Sequence, residues 1–290
     1  MFKINYEGLS ADSVRELAIR FDEFQHGTVL PSWVIRFHSF IDEETDLSIQ
    51  ILGEVKGIRF YKDSDFFYIY KYYNEYLIGI RLDNDFSTID VYCGRNDISG
   101  EQVDRICELI KEGYRYRSVI SKCMMIHASS VIYRNEGILF FGYSGAGKST
   151  QASLWEKYRN AVVLNYDQNC IVPIEDKYYV SGTPWGGKEK LYYNNHVPIR
   201  AIVYVQKSLC GNSIVRLDKS NAFSVFVLHN YLFALSSEVE DTYYDVIIDI
   251  VEVIPIYILY CMNNEEAVDV LYEELYCSDY KGGNKNGDCI

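Results

Sequence analysis

The first 120 residues carry two helical patterns separated by β-rich runs. Apolar residues recur at helical spacing after Ser10, at Val14, Leu17, Ala18 and Phe21. Three runs rich in aromatic and β-branched residues follow at 65–73, 75–82 and 86–93, and only short turn segments separate them. Runs of this kind joined by tight turns predict an antiparallel meander of three strands.

A second helical stripe begins near Glu101 and contains Val103, Ile106, Cys107, Ile110 and Tyr114. Ser99 and Gln102 have the spacing of a capping box at its start. The stripe ends near the basic segment 115–117. We therefore predict a β-rich α/β N-terminal domain over residues 1–120.

The second half alternates apolar runs with turn and helical signals. The runs at 124–133 and 138–141, joined by a turn at 134–137, predict a hairpin. A helical stretch follows at 149–158, and an apolar strand pattern at 161–167 comes after it. These patterns predict a mixed α/β (α+β) chain with a second domain over 121–278, and the polar, glycine-rich segment 279–290 predicts a disordered tail.

The charge balance limits the partners of this chain. Its 290 residues carry a net charge of −13, which disfavours nonspecific binding to nucleic acid or to an anionic membrane. The first residues lack the apolar run of a secretory signal, so we expect a cytoplasmic protein. The eight cysteines are spread without a C-x-x-C pair, which favours reduced thiols over zinc ligands or a disulfide framework.

One short segment predicts nucleotide binding directly. Residues 142–149 read GYSGAGKS and fill the pattern G-x-x-x-x-G-K-[ST] between a predicted strand and a predicted helix. In that pattern backbone N–H groups and a lysine hold the phosphates of ATP, and the serine hydroxyl binds Mg²⁺. The predicted ATP-binding residues are Gly142, Ser144, Gly145, Ala146, Gly147, Lys148, Ser149 and Thr150.

Asp167 is the second candidate for this site. It closes the strand pattern that returns after the predicted helix, where a carboxylate commonly holds the Mg²⁺ of a bound nucleotide. We therefore predict Ser149 and Asp167 as metal ligands. An aspartate that only ends a strand at a turn is the alternative.

The stretches HASSVIY, GYSGAGKST, LNYD and GTPWGG together resemble the superfamily of HPr kinase/phosphorylases and ATP-dependent phosphoenolpyruvate carboxykinases, and most closely its small bacterial carboxykinase-like or HPr-kinase-like members. The resemblance covers roughly residues 120 to 275 and implies a P-loop kinase-like domain that uses ATP and Mg²⁺. It also implies that His127 faces the active site, although a lone histidine among apolar residues is as often a core residue.

The chain departs from that family at Tyr166. HPr kinases carry two adjacent aspartates there, the first resembling a general base, whereas this chain has Tyr166 followed by Asp167. A phenol accepts protons poorly at neutral pH. In the resemblance the glycine-rich loop around Trp185 borders the substrate side, so Lys188 is a candidate for stabilising charge on the transferred phosphoryl group, or else a solvated surface lysine.

These observations favour a kinase that transfers the γ-phosphoryl group of ATP to a hydroxyl on a peptide, a protein or a small molecule. Its predicted catalytic residues are Lys148, His127, Asp167 and Lys188. A non-catalytic ATP sensor or scaffold is the alternative that Tyr166 supports, and phosphoenolpyruvate carboxykinase chemistry ranks below both. The sequence leaves open whether copies of the chain form a homo-oligomer.

Overall fold

The computed structural model of the protein describes residues 2–39, 49–73, 76–187 and 191–277. The chain divides into two compact units. The first consists of Met1–Met125 with Leu232–Val246, and the second of Ile126–Tyr231 with Ile247–Ile290. The predicted domain boundary at residue 120 lies near the break between Met125 and Ile126. Residues 232–246 fall within the predicted second domain, 121–278, but cluster with the first unit.

The first unit contains a seven-stranded mixed sheet in the order β1-β2-β7-β6-β5-β4-β3. Its strands are β1 (Phe2–Tyr6), β2 (Trp33–His38), β3 (Gln50–Val55), β4 (Ile58–Lys62), β5 (Phe66–Tyr73), β6 (Tyr76–Asp83) and β7 (Thr88–Tyr92). The predicted meander is confirmed, because β5, β6 and β7 pair antiparallel in sequence order. The other four strands were not predicted, and β1 and β2 add to the meander in parallel.

The first unit also contains the helices α1 (Ala11–Phe21) and α2 (Glu101–Ile120). α2 packs against β5, β6 and β7, and α1 packs against α2. A 3-10 turn, Asp22–Phe24, follows α1. Ser10 caps α1, since its side chain accepts the backbone N–H of Ser13. In α2, Gly113 faces the sheet so closely that an added Cβ would lie 2.9 Å from the side chain of Ile80. That glycine lets the helix approach the sheet.

The predicted capping box of α2 is wrong. The residue before the helix is Gly100, and it makes no side-chain cap. The Gln102 side chain is buried and donates to the carbonyl of Cys93 at the end of β7. That buried carbonyl requires a donor, so Gln102 serves it instead of the helix start.

The second unit contains an eight-stranded mixed sheet. Its strands are β8 (Met124–Tyr133), β9 (Glu136–Phe141), β10 (Val162–Asn165), β11 (Gln168–Ile174), β12 (Lys177–Gly182), β13 (His196–Lys207), β14 (Ser213–Arg216) and β15 (Ile256–Cys261). The predicted hairpin is confirmed as the antiparallel pair of β8 and β9. On its other side β9 pairs in parallel with β13, and β13 pairs in parallel with β15. Three neighbouring strands therefore end at the same edge of the sheet.

Helices α3 (Lys148–Arg159), α4 (Lys219–His229), α5 (Ser237–Val253) and α6 (Glu265–Tyr276) complete the fold, and the division between the units falls within α5. Buried Trp155 of α3 and Leu271 of α6 belong to one apolar cluster with Phe140 of β9. This cluster packs α3 and α6 against β9. Among the described helices, none combines the length and apolarity needed to cross a membrane.

Candidate functional site

The loop between β9 and α3 is shaped for close approach of the backbone to a ligand. Gly142 has φ 141°, and a Cβ there would lie 2.9 Å from the carbonyl oxygen of Val205. Gly147, with φ 108°, precedes α3 and gives the helix no side-chain cap. The first backbone N–H groups of α3 therefore have no capping side chain, and they carry the positive end of the helix dipole. Both features favour an anion at this position.

Lys148 begins α3 and is only 8% exposed. Its ammonium donates to the carbonyl oxygens of Gly142 at 3.2 Å and Tyr143 at 3.3 Å. Burial lowers the pKa of Lys148, and the negative charge of Asp167 opposes that shift. A phosphate group at the loop would give this buried charge a stronger partner than two neutral carbonyls.

The loop opens into a cavity of about 500 Å³, a size typical of small-ligand sites. Its floor is formed by Ser144, Gly145, Gly147, Lys148, Ser149 and Thr150. Six further residues form a first wall: His127, Ser129, Tyr166, Asp167, Gly186 and Gly187. Lys207 and Asn263 form a second wall. Because β8 and β13 flank β9 on opposite sides, the two walls lie on opposite sides of the phosphate loop.

The first wall holds a paired histidine and aspartate. Nε2 of His127 lies 3.0 Å from Oδ1 of Asp167, and the His127 side chain is 51% exposed. The backbone fixes this pairing, because the N–H of Ala128 donates to the carbonyl of Asp167 at 2.9 Å. With the Nε2 hydrogen directed to the carboxylate, Nδ1 of a neutral imidazole carries the lone pair. This arrangement orients a proton acceptor.

Asp167 lies in the turn between β10 and β11, two residues beyond the end of β10. Oδ1 of Asn165 accepts the N–H groups of Asp167 at 2.8 Å and Gln168 at 3.2 Å, which forms an Asx turn. The amide of Asn165 also donates to the carbonyl of Thr183 at 3.1 Å. Asn165 thus joins the Asp167 turn to the loop after β12.

That loop covers the carboxylate of Asp167. Gly187 has φ 67°, and a Cβ added there would lie 2.8 Å from Cβ of Asp167. The hydroxyl of Thr183 donates to the carbonyl of Gln168 at 2.8 Å, and the N–H of Gln168 also donates to the carbonyl of Trp185. The position of Asp167 is therefore set by backbone contacts from two directions.

Buried polar side chains also hold the backbone of the first wall in place. Ser129 donates to the carbonyl of Tyr166 at 2.8 Å. Ser130 bonds to Oδ1 of Asn169 at 2.5 Å, and the amide of Asn169 donates to the carbonyl of Ala128 at 2.6 Å. All three side chains are fully buried. Satisfied buried networks of this kind hold a backbone in one conformation.

The hydroxyl of Tyr166 lies 3.2 Å from Oγ of Ser153 on α3. Its ring packs against the apolar cluster of the second unit. The Tyr166 side chain is therefore anchored to α3 at its polar end.

An aromatic group lies on the β13 side of the loop. The His229 ring is 4.2 Å from the Tyr143 ring and 4.8 Å from the Tyr204 ring, measured between centroids. Burial, together with the nearby Lys148 ammonium, lowers the pKa of His229. The imidazole packs there against the two tyrosine rings.

Comparisons with known proteins add little to what the geometry of the site shows. No family profile matches the chain, and no curated protein matches it. A solved structure titled as the Hpr(Ser) kinase/phosphatase from Coxiella burnetii is similar, with 11% sequence identity and a TM-score of 0.30. The match covers 56% of this chain and 99% of that chain. At so low a TM-score the similarity carries no argument about the site.

The structure brings most of the residues proposed from the sequence to one cavity. Gly142 and Ala146 belong to the loop but lie outside the cavity lining. Lys188 lies outside the described residues. Sequence reasoning missed Ser129, Lys207 and Asn263. Lys207 ends β13 and Asn263 follows β15. The only feature of the sequence that could have indicated them is a polar residue at the end of each apolar run.

Ser149 and Asp167 line the same cavity, where oxygen ligands suit Mg²⁺. Within the described residues no group of three or more His, Cys, Asp or Glu side chains could hold a metal ion. One hydroxyl and one carboxylate beside a phosphate loop fit a Mg²⁺ that takes its remaining ligands from the nucleotide and water.

Proposed function

We propose that this protein is an ATP-dependent phosphotransferase that moves the γ-phosphoryl group of ATP to a hydroxyl acceptor. The observation that carries the proposal is the His127–Asp167 pair, 3.0 Å apart, in the same cavity as the phosphate loop. A phosphate loop by itself accounts only for nucleotide binding. A histidine oriented by a carboxylate beside it adds a group that can take a proton from an acceptor.

The residues of the cavity have distinct roles in this proposal. The backbone N–H groups at the start of α3 and the Lys148 ammonium hold the phosphates. Nδ1 of His127 accepts the proton as the acceptor oxygen bonds to the γ-phosphorus, and the bond from that phosphorus to the β–γ bridging oxygen breaks, releasing ADP. Asp167 stabilises the imidazolium that forms.

Ser149 and Asp167 would hold Mg²⁺, which would neutralise phosphate charge when bound. Oδ1 of Asp167 lies 3.0 Å from Nε2 of His127. Asp167 thus has two roles in this proposal, and the Asx turn at Asn165 fixes the backbone that carries its carboxylate.

The test is incubation of the protein with Mg²⁺ATP and pools of hydroxyl-bearing peptides, proteins and small molecules, with phosphorylated species detected by mass spectrometry. We expect a product with wild type and a loss of about 100- to 10,000-fold with His127→Ala, the usual contribution of general base catalysis. His196→Ala is the matched control, because His196 is exposed at the start of β13 and does not line the cavity. ATP binding without any transfer would instead favour a nucleotide sensor.

A further inference from the structure

The second wall of the cavity, Lys207 and Asn263, has no task in the transfer proposed above. Lys207 is the last residue of β13, and Asn263 lies two residues after the end of β15. Both strands run parallel to β9, so both residues follow the carboxyl end of a strand. In open α/β sheets this is the edge where nucleotides bind.

The turn that carries Asn263 is fixed by its neighbours. The N–H of Met262 donates to Oδ1 of Asn212 at 2.8 Å, and the amide of Asn212 donates to Oδ1 of Asn264 at 3.2 Å. Asn264 in turn caps α6 by accepting the N–H of Ala267. Two asparagines are thus used to build the turn, which leaves Asn263 at its apex, exposed to the cavity.

The position of Asn263 relative to the phosphate loop indicates which way a bound nucleotide would run. Its Oδ1 would lie 3.2 Å from a Cβ added to Gly147, the residue that precedes α3. Asn263 therefore lies at the α3 side of the loop, opposite the wall of His127 and Asp167. If the transferred phosphoryl group faces His127, the chain of phosphates leads toward Asn263, and the nucleoside lies at that end.

We propose that Lys207 and Asn263 form the nucleoside end of this site, and that the Asn263 amide binds an adenine base. This inference rests on the proposed nucleotide-dependent function. A carboxamide offers one donor and one acceptor side by side, which matches N7 and the exocyclic N6 amino group of adenine. Guanine presents two acceptors on the same edge and pairs poorly with that group. Lys207 donates to acceptors of the ribose and base.

The experiment compares binding of ATP, GTP and inorganic tripolyphosphate, measured by calorimetry, to wild type, Asn263→Ala and Lys207→Ala. Each variant should lose at least about five-fold in ATP affinity, the lower end of one base contact. In Asn263→Ala, tripolyphosphate affinity should stay unchanged and the preference for ATP over GTP should shrink. In Lys207→Ala, the loss of tripolyphosphate affinity should be smaller than the loss of ATP affinity, because removing a cation from the cavity weakens the binding of any polyanion. Lys177→Ala, which removes the same charge at the start of β12, is the control and should behave as wild type.

Three results would overturn this inference. If Asn263→Ala weakens tripolyphosphate as much as ATP, Asn263 only supports Gly147 and the loop. If wild type binds ATP and both variants keep its full affinity, the nucleoside end lies elsewhere while the proposed function stands. If wild type binds neither ATP nor tripolyphosphate, the proposed function itself fails and this inference fails with it.

Discussion

Replacing Lys148 by alanine tests the phosphate loop most directly. The Lys148 ammonium is buried, and its hydrogen bonds within the described residues go to two neutral carbonyls, those of Gly142 and Tyr143. A triphosphate would replace these contacts by charge-assisted ones. Such a contact contributes about 1.5 to 3 kcal/mol, so ATP affinity should fall roughly ten- to 150-fold in Lys148→Ala.

The same change should leave the protein folded. Removing the ammonium loses two hydrogen bonds but also removes the cost of burying the charge that lowers the Lys148 pKa. Because these effects oppose each other, we expect the free energy of unfolding to change by no more than about 1 kcal/mol.

The assay is calorimetric titration of ATP with Mg²⁺, accompanied by thermal unfolding of each variant. Lys157→Ala is the matched control, since Lys157 lies in the last turn of the same helix and its ammonium bonds only to Tyr158 among the described residues. Unchanged ATP affinity in a folded Lys148→Ala variant would refute the phosphate-loop assignment. An equal loss in Lys157→Ala would show that overall charge, rather than the loop, attracts the nucleotide.

Three further changes test the first wall of the cavity. Asp167→Asn should keep ATP binding in EDTA but lose most of the gain from Mg²⁺, and a full Mg²⁺ effect in this variant would remove Asp167 from the metal site. Tyr166→Asp should lower turnover, because a second carboxylate beside Asp167 repels the phosphates, whereas increased turnover would show that the wild type lacks an effective base. Gly187→Ala should reduce transfer by at least about ten-fold, because its Cβ would lie 2.8 Å from Cβ of Asp167. Gly57→Ala is its control, with a similar positive φ of 76° but no atom within 4 Å, and equal losses in both would contradict the role of that contact.

The fold was predictable where the pattern was local. The meander β5-β6-β7 and the hairpin β8-β9 follow from apolar runs joined by short turns, and the structure confirms them. The parallel additions of β1 and β2 depend on contacts between residues far apart in the chain, which no local period encodes. The same is true of the segment 232–246, whose place in the first unit only the folded chain shows.

The candidate site, too, was predictable from the sequence only in part. The glycines, Lys148 and Ser149 of the phosphate loop occupy adjacent positions, so their spacing alone determines the motif and the predicted chemistry. Asp167 and His127 are 40 residues apart, and only the pairing of β8 with the turn before β11 brings their side chains within 3.0 Å. Asn263 lies further still from Gly147 in the chain, and the parallel order β9-β13-β15 places it there. The sequence by itself determined which residues can hold phosphates, because that function needs consecutive backbone groups; the tertiary structure decided which side chains face them, because strand order is set by long-range packing.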